Sequence, residues 1–248
     1  MARVLEPEVM DAAGEALAYD ELERLLGPIL FQGFAESAVN MGVASGRVLD
    51  VGTGPGRIAI RIAKLNPALS IDAIDLSRSM LSLAEQNARE QGVGDRVRFL
   101  LSDAKRIPFP DRTFDLTVCH NMLHQLAEPL VAVKEMNRVT KPQGALLIRD
   151  VRRLPAPIMT VVLPLYCVRY SAMLRSLTYA SYRAGLSERE FGDMVEQAGI
   201  ERARMTRQLI THQSLERRAV PYSPITTNKP GSWIARLARG FYVSYPTR

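Results

Sequence analysis

Three aspartates stand beside apolar segments at intervals that suit recognition of a nucleoside. Asp50 lies near the end of one such segment, directly before the glycine turn Gly52-Thr53-Gly54-Pro55-Gly56. Asp75 ends the next segment roughly twenty residues after that turn, the spacing at which a carboxylate accepts hydrogen bonds from ribose hydroxyls. Asp103 follows a third apolar run, where it could accept a hydrogen bond from an adenine amino group. These acids predict a nucleoside site at one edge of a sheet.

The glycine turn distinguishes between two kinds of nucleoside ligand. Gly52 and Gly54 allow the main chain to come close to a ligand that lies across the strand end. A dinucleotide fingerprint would have a third glycine at position 57, where this chain has Arg57. It would also bring pyrophosphate near the turn, where Asp50 would repel it. The turn therefore predicts a cationic nucleoside ligand, which nearby carboxylates attract.

The elements that must position these residues alternate between strands and helices from residue 46 onward, which predicts a parallel, doubly wound α/β sheet. Predicted strands cover 46–51, 70–75, 96–101, 114–120, 144–150, 202–210 and 212–218, and predicted helices cover 56–65, 78–91, 128–138 and 187–198. Residues 1–41 are predicted to form a helical lid ahead of this core. Residues 219–248 form a basic extension, with a short basic helix near 233–241.

The glycine motif and the two later acids resemble those of the class I S-adenosylmethionine-dependent methyltransferases, from about residue 45 to about residue 218. Within this superfamily, the motif sequences are most similar to those of the ubiquinone/menaquinone C-methyltransferase-like group of small-molecule enzymes. The resemblance implies a seven-stranded, mostly parallel, Rossmann-like sheet in one domain spanning 1–218, with S-adenosylmethionine as cofactor. It implies cofactor contacts from Asp50, Gly52, Thr53, Gly54, Asp75, Leu76, Asp103, Ala104 and His120. It also places Tyr19 of the lid over the cofactor, with packing in the core as the open alternative.

Methyl transfer from a sulfonium is an in-line displacement that positioning and desolvation can accelerate without an obvious catalytic dyad. A phenol, enol or amine acceptor would gain from a general base, for which His120, His124 and Asp150 are the candidates near the ends of the fourth and fifth strands. We select His124 and Asp150 as catalytic, against the alternative that His124 only lines the pocket. His120 and His124 are four residues apart and could share a helical face, but the sequence around them has no further ligand cluster, so no metal is expected.

Residues 151–185 form a predicted helical insertion after the fifth strand. The ligand crevice of an open α/β sheet lies outside the carboxyl ends of its strands, so this insertion is well placed to cover the substrate. We therefore predict that residues 151–185 select a small-molecule substrate, apolar or aromatic in character. The alternative is that they form the contact of a homodimer.

The composition of the chain bears on its cellular compartment and its partners. The chain has 248 residues, of which 47% are hydrophobic, and a net charge of +6. Cys119 and Cys167 form neither a disulfide framework nor a metal-ligand set, so we expect a cytoplasmic protein. The longest apolar run, 157–168, is too short and too interrupted by proline to cross a bilayer, so we expect a soluble protein with no membrane span. The basic C-terminal third leaves open a contact with nucleic acid, although no nucleic-acid module accompanies it. This basic end leaves an RNA or protein methyltransferase as one alternative to a small-molecule enzyme. A cofactor-binding protein with non-methyl or no catalytic activity is a second alternative, because its cofactor motifs would look the same.

Overall fold

A computed structural model describes residues 2–7, 18, 21–22, 25, 27, 31–208, 211–222 and 242–245. It contains one mixed sheet with strand order β3-β2-β1-β4-β5-β7-β6-β8. The strands are β1 (Gly46–Val51), β2 (Leu69–Asp75), β3 (Val97–Leu101), β4 (Phe114–His120), β5 (Thr140–Val151), β6 (Arg204–Gln208), β7 (His212–Arg217) and β8 (Tyr242–Tyr245). The helices are α1 (Gly33–Val39), α2 (Arg57–Leu65), α3 (Arg78–Glu90), α4 (Pro129–Val139), α5 (Leu163–Tyr166), α6 (Ala172–Ala184) and α7 (Glu188–Gln197).

The strand order places β1 at the point where the chain reverses its direction across the sheet. Strand β1 pairs in parallel with β2 on one side and with β4 on the other. Strands β3 and β5 extend the parallel part outward, and β7 pairs antiparallel with β5. The carboxyl ends of five parallel strands therefore meet at one edge, where ligands bind in open α/β sheets.

Both faces of the sheet are buried, because successive residues of the central strands point to opposite sides. Val48 and Leu147 pack on the face that carries α1 and α2. Leu49 and Leu146 pack on the other face, with α4 and α7. Each of these four side chains is completely buried.

The insertion after β5 is helical, as the sequence predicts. It begins with a π-helical turn, Ile158–Val162, and continues through α5 and α6. Its inward side chains form an apolar cluster of their own that includes Met159, Leu163 and Tyr170. No helix in the described part of the chain combines the length and the apolar character needed to span a bilayer.

The fold prediction is confirmed in its seven principal strands and differs in details. Strand β5 begins at Thr140 rather than residue 144, since Thr140 pairs with Phe114 before an irregularity in the register. An eighth strand, β8, pairs antiparallel with β6 and comes from the C-terminal extension. His120 ends β4 while His124 lies in a single 3-10 turn, so the two histidines do not share a helical face. The predicted helix at 233–241 and most of the lid up to residue 30 lie outside the described residues.

Candidate functional site

A cleft opens at the carboxyl ends of the parallel strands, with a volume of about 1480 Å³ when the solvent-open space at its mouth is included. It brings together most of the residues singled out from the sequence: Asp50, Gly52, Thr53, Gly54, Asp75, Leu76, Asp103, Ala104, His120 and His124 all line it. Asp150 lies directly behind His124 and reaches the cleft through it. Tyr19 lies outside the described residues.

The glycine turn after β1 takes a shape that side chains would prevent. Gly52 has a φ of 72°, and a Cβ atom there would lie 2.5 Å from Cγ of Met122. Gly54 has a φ of 52°, but a Cβ atom there would meet nothing within 4 Å. Gly52 is therefore required by packing, whereas Gly54 leaves its backbone open toward the cleft.

Two of the three acids have carboxylates that the backbone holds in place. Asp75 accepts hydrogen bonds from the amide of Gly54 at 2.8 Å and from the amide of Ser77 at 2.9 Å. Asp103 accepts one from the amide of Lys105 at 2.8 Å. A carboxylate has about four acceptor positions. Both acids therefore keep acceptor capacity for hydroxyl or amino donors of a ligand.

Asp50 lies at the floor of the cleft and is almost fully buried. Its Oδ2 accepts a hydrogen bond from Oγ1 of Thr53 at 2.7 Å. Burial, with the nearby charge of Asp75, raises the pKa of Asp50 to about 7, although the hydrogen bond from Thr53 opposes this shift. A cation beside Asp50 would favour its ionised form.

His120 presents a neutral ring at the cleft. Its ring packs against Phe34 with centroids 4.5 Å apart, and it lies 6.2 Å from the ring of His212. Burial, with a smaller effect of Arg149, lowers the pKa of His120 well below its usual value. Its buried Nε2 has no hydrogen-bond partner among the described residues. Such an atom is costly to leave unpaired, so a polar ligand atom fits this position.

His124, which lines the cleft, forms a buried pair with Asp150. Nδ1 of His124 lies 2.6 Å from Oδ1 of Asp150, and the side chains are only 3% and 2% exposed. The backbone amides of His124 and Val151 also donate to Asp150. Burial alone would lower the pKa of His124, but the charge and hydrogen bond of Asp150 outweigh it and raise that pKa. The pair can therefore accept a proton from a group bound in the cleft.

His212 on β7 is expected to make the free energy of unfolding depend on pH. Burial, with the charge of Arg149, lowers the pKa of His212 to about 4. The folded chain thus binds fewer protons than the unfolded chain between pH 4 and the ordinary histidine pKa of about 6.5, and stability is lost as pH falls through this window. We expect His212 to account for about 2 kcal/mol of the fall in unfolding free energy between pH 7 and pH 5.

Urea unfolding of His212→Gln at the two pH values measures this contribution, since the variant should show a correspondingly smaller fall. His124→Gln is the control, because His124 has the opposite effect. Its raised pKa contributes stability at low pH that is lost as pH rises through the folded pKa, so removal of His124 should not make the fall smaller. An equal fall in the wild type and in His212→Gln would contradict the assignment.

Parts of the site carried no signal in the sequence. Arg3, far away in the chain, donates from Nη2 to the carbonyl oxygens of His124 and Leu126 at 2.9 and 2.8 Å and so fixes the 3-10 turn. By contrast, Leu174 and Leu177 of α6, which line the cleft, lie within the insertion that the sequence predicts to cover the substrate. His212 could not be found, because only the pairing of β7 with β5 brings it beside the site.

Comparison with known proteins identifies the family to which the sequence of this chain is similar. The profile of a family described as a methyltransferase domain matches residues 43–199. Over 138 residues the chain is 30% identical to the ubiquinone/menaquinone biosynthesis C-methyltransferase UbiE of Pseudomonas fluorescens, covering 55% of this chain and 54% of that protein. Over 114 residues it is 33% identical to the 27-O-demethylrifamycin SV methyltransferase of Amycolatopsis mediterranei, covering 46% and 42%. The chain thus spans about half the length of the curated relatives it matches.

Among solved structures, a protein of Methanococcus maripaludis assigned to the S-adenosyl-L-methionine-dependent methyltransferases superposes with a TM-score of 0.68. The match covers 88% of this chain and 97% of that chain at 22% identity. At this identity the likeness shows a shared fold.

Proposed function

This chain belongs to the methyltransferase domain family, and we propose that it transfers a methyl group from S-adenosylmethionine to a small-molecule acceptor. The observation that carries the proposal is Asp75, whose carboxylate is fixed by the amides of Gly54 and Ser77 beside the open glycine turn. This is the arrangement that grips a ribose diol at the switch point of a doubly wound sheet.

The proposed cofactor contacts follow from the chemistry of each wall. Asp75 would accept hydrogen bonds from the ribose hydroxyls, and Asp103 would accept one from the adenine amino group. Asp50 and the unpartnered Nε2 of His120 would face the amino-acid end, where an ammonium and a carboxylate need partners. When bound, the cofactor supplies a methyl group on a cationic sulfur.

The proposed acceptor is an acidic hydroxyl, such as a phenol or enol. His124 would take the proton of that hydroxyl on Nε2, while Asp150 holds Nδ1 and stabilises the resulting imidazolium. The acceptor oxygen would then form its bond to the methyl carbon as the carbon–sulfur bond breaks, with that electron pair remaining on sulfur. The name of the relative from Amycolatopsis mediterranei, which specifies O-demethylrifamycin, supports an oxygen acceptor.

We propose residues 1–218 as one methyltransferase domain in which 1–41 act as a lid and 151–185 select the acceptor. The apolar residues Leu174 and Leu177 of α6 line the cleft, and they support an acceptor with an apolar or aromatic body. Polar groups of that acceptor would turn toward His124.

Incubation of the pure protein with methyl-labelled S-adenosylmethionine and a fractionated cell extract tests the proposal. We expect label in small molecules that partition into an organic solvent. Label in RNA or protein would show that the acceptor is a macromolecule and would contradict the proposed small-molecule acceptor. Label in no fraction would indicate a cofactor-binding protein without methyl transfer.

The raised pKa of Asp50 predicts how the affinity for the cofactor depends on pH. A cationic ligand binds the ionised carboxylate better, and with a pKa of about 7 the ionised fraction falls as pH falls from 8 to 6. We expect the affinity for S-adenosylmethionine to be about tenfold weaker at pH 6 than at pH 8. Equilibrium dialysis at both pH values measures this change, which should vanish in Asp50→Asn. An unchanged pH dependence in the variant would assign it to another group.

A further inference from the structure

The outer face of the insertion, defined by Val161, Val162, Leu165, Val168 and Met173, is apolar and open to solvent. Leu165 is 73% exposed and Val168 is 69% exposed. Large exposed apolar side chains elsewhere in the described chain are more dispersed along the sequence. A contiguous apolar surface of this kind marks an interaction site.

The opposite side of the same segment is already used for packing. Met159, Leu163 and Cys167 are buried at intervals of four residues in the apolar cluster of the insertion, and Leu174 of α6 is buried with them. The segment is therefore apolar on both sides. A helix that is apolar all round is normally buried in protein or in lipid, so the outer face requires a cover.

The charges around this face identify the chemistry of that cover. Residues 154–186 contain Arg169, Arg175 and Arg183 and no aspartate or glutamate. Arg169 and Arg175 are exposed. The nearby acid Glu21 is engaged, since its Oε1 accepts a hydrogen bond from the amide of Ser171 at 2.8 Å. The segment thus combines the apolar outer face with exposed arginines and has no acid of its own.

A symmetric contact between two copies would use the same patch on both partners. It would bring these arginines close to their own copies, with no acid within the segment to compensate. An anionic lipid surface instead offers phosphates for the arginines and an apolar boundary for the valines and Leu165.

We propose that the outer face of the insertion binds the surface of an anionic lipid bilayer. The apolar side chains enter the boundary between headgroups and acyl chains, and Arg169 and Arg175 contact the lipid phosphates. Helix α6 carries both the exposed Met173 and Leu177, which lines the cleft, so the outer face and the site share one helix. The inference does not depend on the proposed transfer reaction.

Sedimentation of the full chain with lipid vesicles tests this proposal. We expect binding to vesicles of equal parts phosphatidylglycerol and phosphatidylcholine, and much weaker binding to phosphatidylcholine alone. Leu165→Asp should weaken the partition coefficient by about tenfold or more, because it removes buried methylene groups and adds a repelled charge. Arg169→Gln should weaken it by about fivefold, the effect of one basic side chain near an anionic surface. Higher salt should weaken the binding of the wild type.

Val131→Asp is the matched control, since Val131 is a half-exposed valine on α4 and should change nothing. Circular dichroism establishes that each variant is folded. Binding of Leu165→Asp equal to that of the wild type, or no binding of the wild type to the mixed vesicles, would overturn the proposal. Light scattering that shows a wild-type dimer and a Leu165→Asp monomer, without vesicle binding, would assign the face to a contact between copies.

Discussion

Replacement of Asp75 by alanine is expected to weaken the binding of S-adenosylhomocysteine by at least about 100-fold, because two hydrogen bonds to a charged acceptor each contribute about 1.5–3 kcal/mol. The carboxylate of Asp75 also accepts hydrogen bonds from the amides of Gly54 and Ser77, so its loss loosens the glycine turn that faces the ligand. Equilibrium dialysis with labelled S-adenosylhomocysteine measures the change.

Two further variants separate ligand contact from local structure. Asp75→Asn keeps an acceptor oxygen and should give a smaller loss of about tenfold. Asp95→Asn is the control, because Asp95 is exposed and precedes β3 at the opposite end of the sheet from the cleft. Full affinity in Asp75→Ala would show that ribose is held elsewhere.

Asp150→Asn is expected to lower the rate of methyl transfer by about 100-fold or more while leaving S-adenosylhomocysteine affinity unchanged. Asp150 holds Nδ1 of His124 at 2.6 Å and raises its pKa, and both effects favour proton removal from the acceptor. The measurement is the initial rate of label transfer into the acceptor fraction, beside cofactor affinity by dialysis.

The pH profile separates a role in proton transfer from a structural role. His124 must be neutral to accept a proton, so the rate should rise with pH through its pKa. Loss of the Asp150 charge lowers that pKa, and the rising limb of Asp150→Asn should move to lower pH. Asp72→Asn is the control for removal of a buried carboxylate, since Asp72 on β2 pairs with Arg47 on β1 and Arg98 on β3, away from His124. A loss of cofactor affinity alone in Asp150→Asn would place Asp150 in the cofactor shell.

Local signals in the sequence predicted the parallel half of the sheet and the residues at its edge. The central strands contain short apolar runs; Asp75 is the last residue of β2, and Asp103 comes two residues after the end of β3. Parallel strands joined by helices bring their carboxyl ends to one edge, so the approach of these residues follows from topology. The bounds of β1 and β4 agree with the prediction to the residue.

Features that depend on distant parts of the chain were not predictable. Strand β8 pairs with the edge strand β6, and this pairing has no local signal in the sequence. The closeness of His124 and Asp150 requires the 3-10 turn after β4, which Arg3 fixes from the other end of the chain. The neutral state of His212 results from burial beside Arg149, which no spacing in the sequence expresses.

The most direct test of the central claim is a crystal structure of the protein with S-adenosylhomocysteine. The ribose hydroxyl oxygens should lie within about 3 Å of the carboxylate of Asp75, the distance of a strong hydrogen bond. The adenine amino group should contact Asp103, and the sulfur should face the side of the cleft that holds His124. A ligand bound away from the ends of β1 and β2, or with its ribose turned from Asp75, would contradict the account.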